Sequence, residues 1–133
     1  MFDPNRVPPV QSEELLARFI LFSGWFRPSD NAVKQDAFIP HLNELSVTRH
    51  EQATAEEIWA DGERVATLRK RTLYGRADVG VAALKEQSLA VEADPIIGNP
   101  NHAIAKNWPM EKSEQKMKAL QIALKSQFVP MPK

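Results

Sequence analysis

The sequence predicts an α+β fold, a small and mostly antiparallel sheet with about three helices packed on one face. Three stretches predict it. Leu45 and Val47 alternate with Ser46 and Thr48, the period-two signature of a half-buried strand. Thr54-Ala55-Glu56-Glu57 has the form of a capping box, in which Thr54 serves the Glu57 amide and Glu57 the Thr54 amide. Behind Pro109, Met110, Met117, Leu120 and Leu124 recur on one face of a helix. Ala119 and Ala123 lie beside them, and Glu111, Lys112, Glu114, Gln115, Lys118 and Lys125 cover the other side.

In chain order, residues 1–11 carry Pro4, Pro8 and Pro9 and read as an extended arm. Ser12-Glu13-Glu14 reads as an N-cap with acidic first-turn residues, and Leu15, Leu16, Phe19 and Ile20 then fall near helical spacing. That predicts a helix over 13–22. The same run fits a buried strand around Phe19 to Phe22, because short apolar runs are ambiguous by pattern. Strands are predicted over 37–40 and 45–49, then a helix over 55–70 that Gly62 interrupts. Val79 and Val81 alternate, predicting a strand over 77–83, with another over 89–92; a rival reading makes Val81 to Gln87 helical. Residues 94–109, with three prolines, three asparagines and a glycine, read as one long shaped loop. A helix over 109–126 and a tail over 127–133 complete a single domain spanning 1–133.

The composition is that of an ordinary globular chain, 43% hydrophobic and 26% charged. Seventeen basic residues balance seventeen acidic ones, which gives no global attraction to nucleic acid or to an anionic membrane. The absence of cysteine removes a disulfide framework, a thiolate metal site and a cysteine nucleophile together. No basic region followed by an apolar core opens the chain, and the longest apolar run, at Phe19 to Phe22, is far short of a membrane span. These features predict a cytoplasmic protein without a membrane segment or cofactor.

No phosphate-binding glycine loop, nucleophile elbow or zinc-type histidine pair is present. His41, His50 and His102 sit in separate loops, and a metal site would need them to converge, with Asp36 or Asp78 added; none is predicted. Arg49, His50, Arg76 and His102 form the more informative set. Each lies near the edge of an element, and two guanidiniums with a histidine suit a phosphate or carboxylate. In that reading Arg49, Arg76, Asn101, His102 and Trp108 bind the ligand, while His50 and His102 are the acid–base candidates. The plainer reading pairs Arg49 with Glu51 or Glu44 and Arg76 with Asp78, places Trp108 in the core, and makes Arg64 through Arg71 a solvated helix end.

The order Asp36 to Pro40, Glu44 to Arg49, Gly75-Arg76-Ala77-Asp78, Asp94-Pro95 through Asn99-Pro100-Asn101-His102-Ala103 and Trp108-Pro109 resembles a group of small uncharacterised bacterial proteins. The resemblance covers roughly residues 15–126 and implies a compact bacterial cytoplasmic domain, with no catalytic residues to carry over. Together these readings predict a non-enzymatic binding or accessory module for a protein partner or a small anionic ligand. The alternative is an enzyme acting on a phosphate-containing, nucleotide-like substrate through an Arg/His site.

Overall fold

The structure is a computed structural model that describes residues 7–132. Its centre is a six-stranded sheet in which every pairing is antiparallel. In chain order the strands and helices are β1 (Leu15–Ile20), β2 (Phe26–Arg27), β3 (Ala32–Val33), β4 (Leu45–Arg49), α1 (Ala55–Leu68), β5 (Gly75–Gly80), α2 (Val81–Lys85), β6 (Ala90–Ala93), β7 (His102–Lys106), α3 (Lys112–Leu124) and β8 (Gln127–Pro130). Across the sheet the order is β6-β7-β4-β1-β5-β8, and β2 and β3 form a separate two-stranded ribbon. The α+β class and the mostly antiparallel sheet follow the sequence reading. The helices, however, do not share one face. The core of α1 residues Ile58 and Ala66 packs with Ala17, Phe19 and Leu21, whereas α2 and α3 pack with Leu16, Ile20, Leu45 and Val79 on the other side.

The segment read as a helix over 13–22 is the strand β1. Leu16, Ala17, Phe19 and Ile20 are buried on the two faces of the sheet in turn, so apolar residues follow one another, with Arg18 among them, instead of alternating with polar ones. The strand read over 37–40 is instead a 3₁₀ turn over Gln35–Phe38, whose Ala37 and Phe38 plug the larger core. The strand read over 77–83 ends at Gly80, and the rival helix takes over at Val81 with Val81, Ala83 and Leu84 buried. Inside the long loop lies β7, unsignalled because its inward residues Ala103 and Ala105 are small. The tail beyond 126 includes β8, paired with β5.

Both capping-box bonds of α1 form, at 3.1 and 3.0 Å, and the helix runs straight through Gly62. A Cβ there would stand 2.9 Å from Phe19 and Leu73, so glycine is what lets α1 approach the sheet. The third helix lies between Glu111 and Lys125 and buries Ala119, Ile122 and Ala123. Met110, Met117, Leu120 and Leu124, the stripe read as its core face, point outward at 86, 69, 41 and 70% exposure. The small alanine face allows close contact with the Gln35–Phe38 turn, and the bulkier stripe does not.

Candidate functional site

Alternation along the strands decides which candidates share a surface. Arg49 lies opposite Leu16 on the α3 side, while Arg76 lies opposite Phe19 on the α1 side. The two arginines therefore do not form a clamp. Arg49 is held in a bidentate pair with Glu14, at 2.7 and 2.8 Å, and donates further to the Pro8 and Pro9 carbonyls. Its partner is Glu14, not Glu44 or Glu51. Burial alone would push the Glu14 carboxyl up, but the Arg49 hydrogen bond, the Gln11 amide and the Arg49 charge outweigh it and hold the pKa below the ordinary value. Trp108 is 3% exposed and donates its indole N–H to the Ala105 carbonyl, so it is a core residue and cannot stack on a ligand.

Arg76 pairs with Asp78 as the plainer reading expects, Nε to Oδ1 at 3.0 Å, and stacks on Trp59 of α1. His50 donates from Nε2 to the same Asp78 oxygen at 2.9 Å. A carboxylate oxygen accepts, so Nε2 carries the proton of this bond. Arg76 ties β5 to α1 through Trp59, and Asp78 ties β5 to His50 beyond the end of β4. Among the described residues no three His, Asp or Glu side chains converge as metal ligands.

A different constellation lies between α1, the sheet and the loop over 94–101. A cleft of about 200 Å³ is walled by Arg18 from β1, Arg64 from the last turns of α1 and Arg69 from its C-cap, Ser46 and Thr48 from β4, and Asn99 and His102. No Asp or Glu belongs to this wall. Arg18 donates to the Ala37 and Ser46 carbonyls at 2.8 and 3.0 Å. Burial and the nearby Arg69 charge lower its pKa to about 10, so it remains a cation at neutral pH. The Arg64 Nε is buried and has no hydrogen-bond partner among the described residues. Asp61, one turn earlier, feels the Arg64 charge, but burial raises its pKa and no ion pair forms between them.

The loop is pinned from beneath. Asn99, 2% exposed, donates to the Thr48 hydroxyl at 3.1 Å and accepts the Asn101 amide at 3.0 Å. Gly98 turns at φ +91°, and its Cα side lies against the Arg64 guanidinium. Asn101 contributes its backbone, accepting the Arg49 amide. His102 does reach the cleft. Its Nδ1 donates to the Asp94 carbonyl at 2.9 Å and lies 3.1 Å from the Asp94 carboxylate, which fixes the tautomer and leaves Nε2 unbonded among the described residues. His50 and Arg76 are not part of the wall.

Of the residues read as a site from the sequence, His102 lines this cleft, and Arg18, Thr48 and Asn99 line it without having been read as candidates. A guanidinium inside the apolar run from Leu15 to Phe22 was the available signal for Arg18. Arg64 and Arg69 were visible but read as solvent-facing, since nothing local shows that a loop thirty residues on folds over them. No protein-family model, no curated protein and no solved structure matches the chain.

Proposed function

We propose that the protein is a binding module for a small anionic ligand, taken up in the cleft between α1 and the sheet. One observation carries this reading. Three arginines line one hollow with no carboxylate in its wall, and the buried Arg64 Nε has no acceptor among the described residues. A buried donor without a partner is costly, and a phosphate or carboxylate oxygen satisfies it with a charge-assisted bond. Thr48, Asn99 and His102 add polar groups on a wall that the Asn99–Thr48 hydrogen bond holds rigid. The bacterial origin implied by the resemblance belongs to the same proposal and adds no chemistry to it.

An enzymatic alternative keeps one supporting feature. His102 has its Nδ1–H tied to Asp94, so Nε2 is free to accept or return a proton beside a bound phosphate. That alternative no longer includes Arg49.

The test is calorimetric titration of the full chain with inorganic phosphate, pyrophosphate and citrate at low salt. At least one anion is expected to bind, and Arg64→Gln is expected to weaken it tenfold or more while melting cooperatively like the parent. Loss of an anion contact of this kind typically weakens binding by that order. Absence of binding by all three anions, or binding indifferent to both Arg64→Gln and Arg69→Gln, overturns the proposal.

A further inference from the structure

The cleft is not uniformly polar. Six of its wall residues are apolar: Phe19, Leu21, Val47, Val65, Leu68 and Ile96. Two of them keep substantial surface in water, Leu68 at 71% and Ile96 at 38% exposure. The adjoining hollow shares Arg18, Ser46 and Arg69 with the cleft, and adds His41, Glu44 and Leu42, the last 85% exposed. Scattered exposed apolar residues are normal, but Leu68 and Ile96 edge the cleft whose charged wall residues are arginines.

The helix sets how charge and apolar surface alternate. Arg64 and Leu68 are four residues apart, as are Val65 and Arg69, so each guanidinium stem has an apolar neighbour one turn along the same face. One turn is about 5.4 Å. An anion at either arginine therefore meets apolar wall within a few bond lengths of its charge. A bare inorganic anion leaves that wall wet, whereas an apolar group next to the charged head removes both surfaces from water. The size of the hollow bounds the body. At about 200 Å³ it falls below the roughly 300–1,000 Å³ of sites for drug-sized molecules.

We infer that the ligand of this cleft is a small amphipathic anion, a phosphate monoester or carboxylate bearing a short alkyl or aryl group. Its head lies among Arg18, Arg64 and Arg69, and its body lies along Leu68, Val65 and Ile96. This inference rests on the anion-binding reading of the same cleft and specifies the class of molecule that reading admits.

The experiment compares matched probes against the full chain by calorimetry: inorganic phosphate, phenyl phosphate, acetate, benzoate and the neutral benzyl alcohol. Phenyl phosphate is expected to bind at least tenfold tighter than inorganic phosphate, benzoate tighter than acetate, and benzyl alcohol far more weakly than either aryl anion. Leu68→Gln, at a mostly exposed position, and separately Ile96→Gln are each expected to weaken phenyl phosphate at least threefold and leave inorganic phosphate unchanged. Equal affinity for phenyl and inorganic phosphate overturns the inference and leaves the anion site standing. So does an aryl preference that neither variant reduces, since the body then lies elsewhere. Benzyl alcohol binding as tightly as phenyl phosphate overturns the inference, and no binding by any anion removes the inference and the anion site together.

Discussion

Removing the Arg49 guanidinium strands the Glu14 carboxylate, 3% exposed and with no other cation in contact among the described residues. Breaking a buried pair from one side typically costs about 3–5 kcal/mol, because the remaining charge is desolvated and unpaired. Arg49→Met is therefore expected to lower unfolding free energy by about that amount in urea titrations, and Glu14→Leu added to it is expected to restore most of the loss. A single-variant loss under about 1 kcal/mol contradicts this account. The pH dependence separates the two proteins by sign. In the parent the depressed Glu14 pKa contributes stability that is present above its ordinary 4.5 and lost as pH falls through the folded value. In Arg49→Met the unpaired buried carboxyl titrates upward, so lowering pH toward 5 relieves the variant and narrows its deficit. The same pair shows where local sequence stops: an arginine at a strand end was legible, but its partner 35 residues away was not. For Arg76 the partner lies two residues along the same strand face, and there the sequence sufficed.

Glycines decide two element contacts, and in both the outcome runs against propensity. Gly62→Ala gains about 1 kcal/mol of helix propensity, but its new methyl must displace Phe19 and Leu73, each only 8% exposed. Overpacking of that kind costs about 1–3 kcal/mol, so the variant is expected to be less stable than the parent in thermal melts. At Gly75 a Cβ stands 2.5 Å from the Val129 carbonyl, a backbone atom of β8 that no rotamer change can move. Gly75→Ala is expected to loosen β8, seen as faster amide exchange across Gln127–Pro130, whereas Gly24→Ala, with open space around it, serves as the neutral control. Normal exchange in β8 of the Gly75 variant contradicts the contact. These constraints explain which elements the sequence showed. The capping box and the alternation in β4 are local signals, and α1 and β4 were found within a residue or two. β1 is covered on both faces, β7 turns alanines inward, and α3 rotates its alanines inward past a larger methionine–leucine stripe. All three depend on what lies across the sheet, which periodicity within a segment does not encode.

At the scale of the molecule the sheet separates two unequal cores. Among the described residues, twenty buried ones form the α2–α3 side and six form the α1 side. β1 feeds both, sending Leu16 and Ile20 one way and Ala17 and Phe19 the other. Regions with less buried apolar contact open at lower free energy. The α1 layer is accordingly expected to exchange its amides through a sub-global opening, before β1 and β4 exchange by global unfolding. Arg64 and Arg69 ride on that layer, so an anion in the cleft bridges the weakly held helix to the strongly held sheet through Arg18 and Thr48. Binding to the closed form alone adds stability by mass action, about 2.7 kcal/mol at a hundredfold excess over Kd. Native-state hydrogen exchange with and without phenyl phosphate is thus expected to show protection rising in α1, up to the ceiling set by global unfolding. An α1 already as protected as β1 without ligand contradicts the two-core hierarchy. Protection rising equally in β6 and α1 instead places the ligand's effect on the whole sheet and away from this cleft.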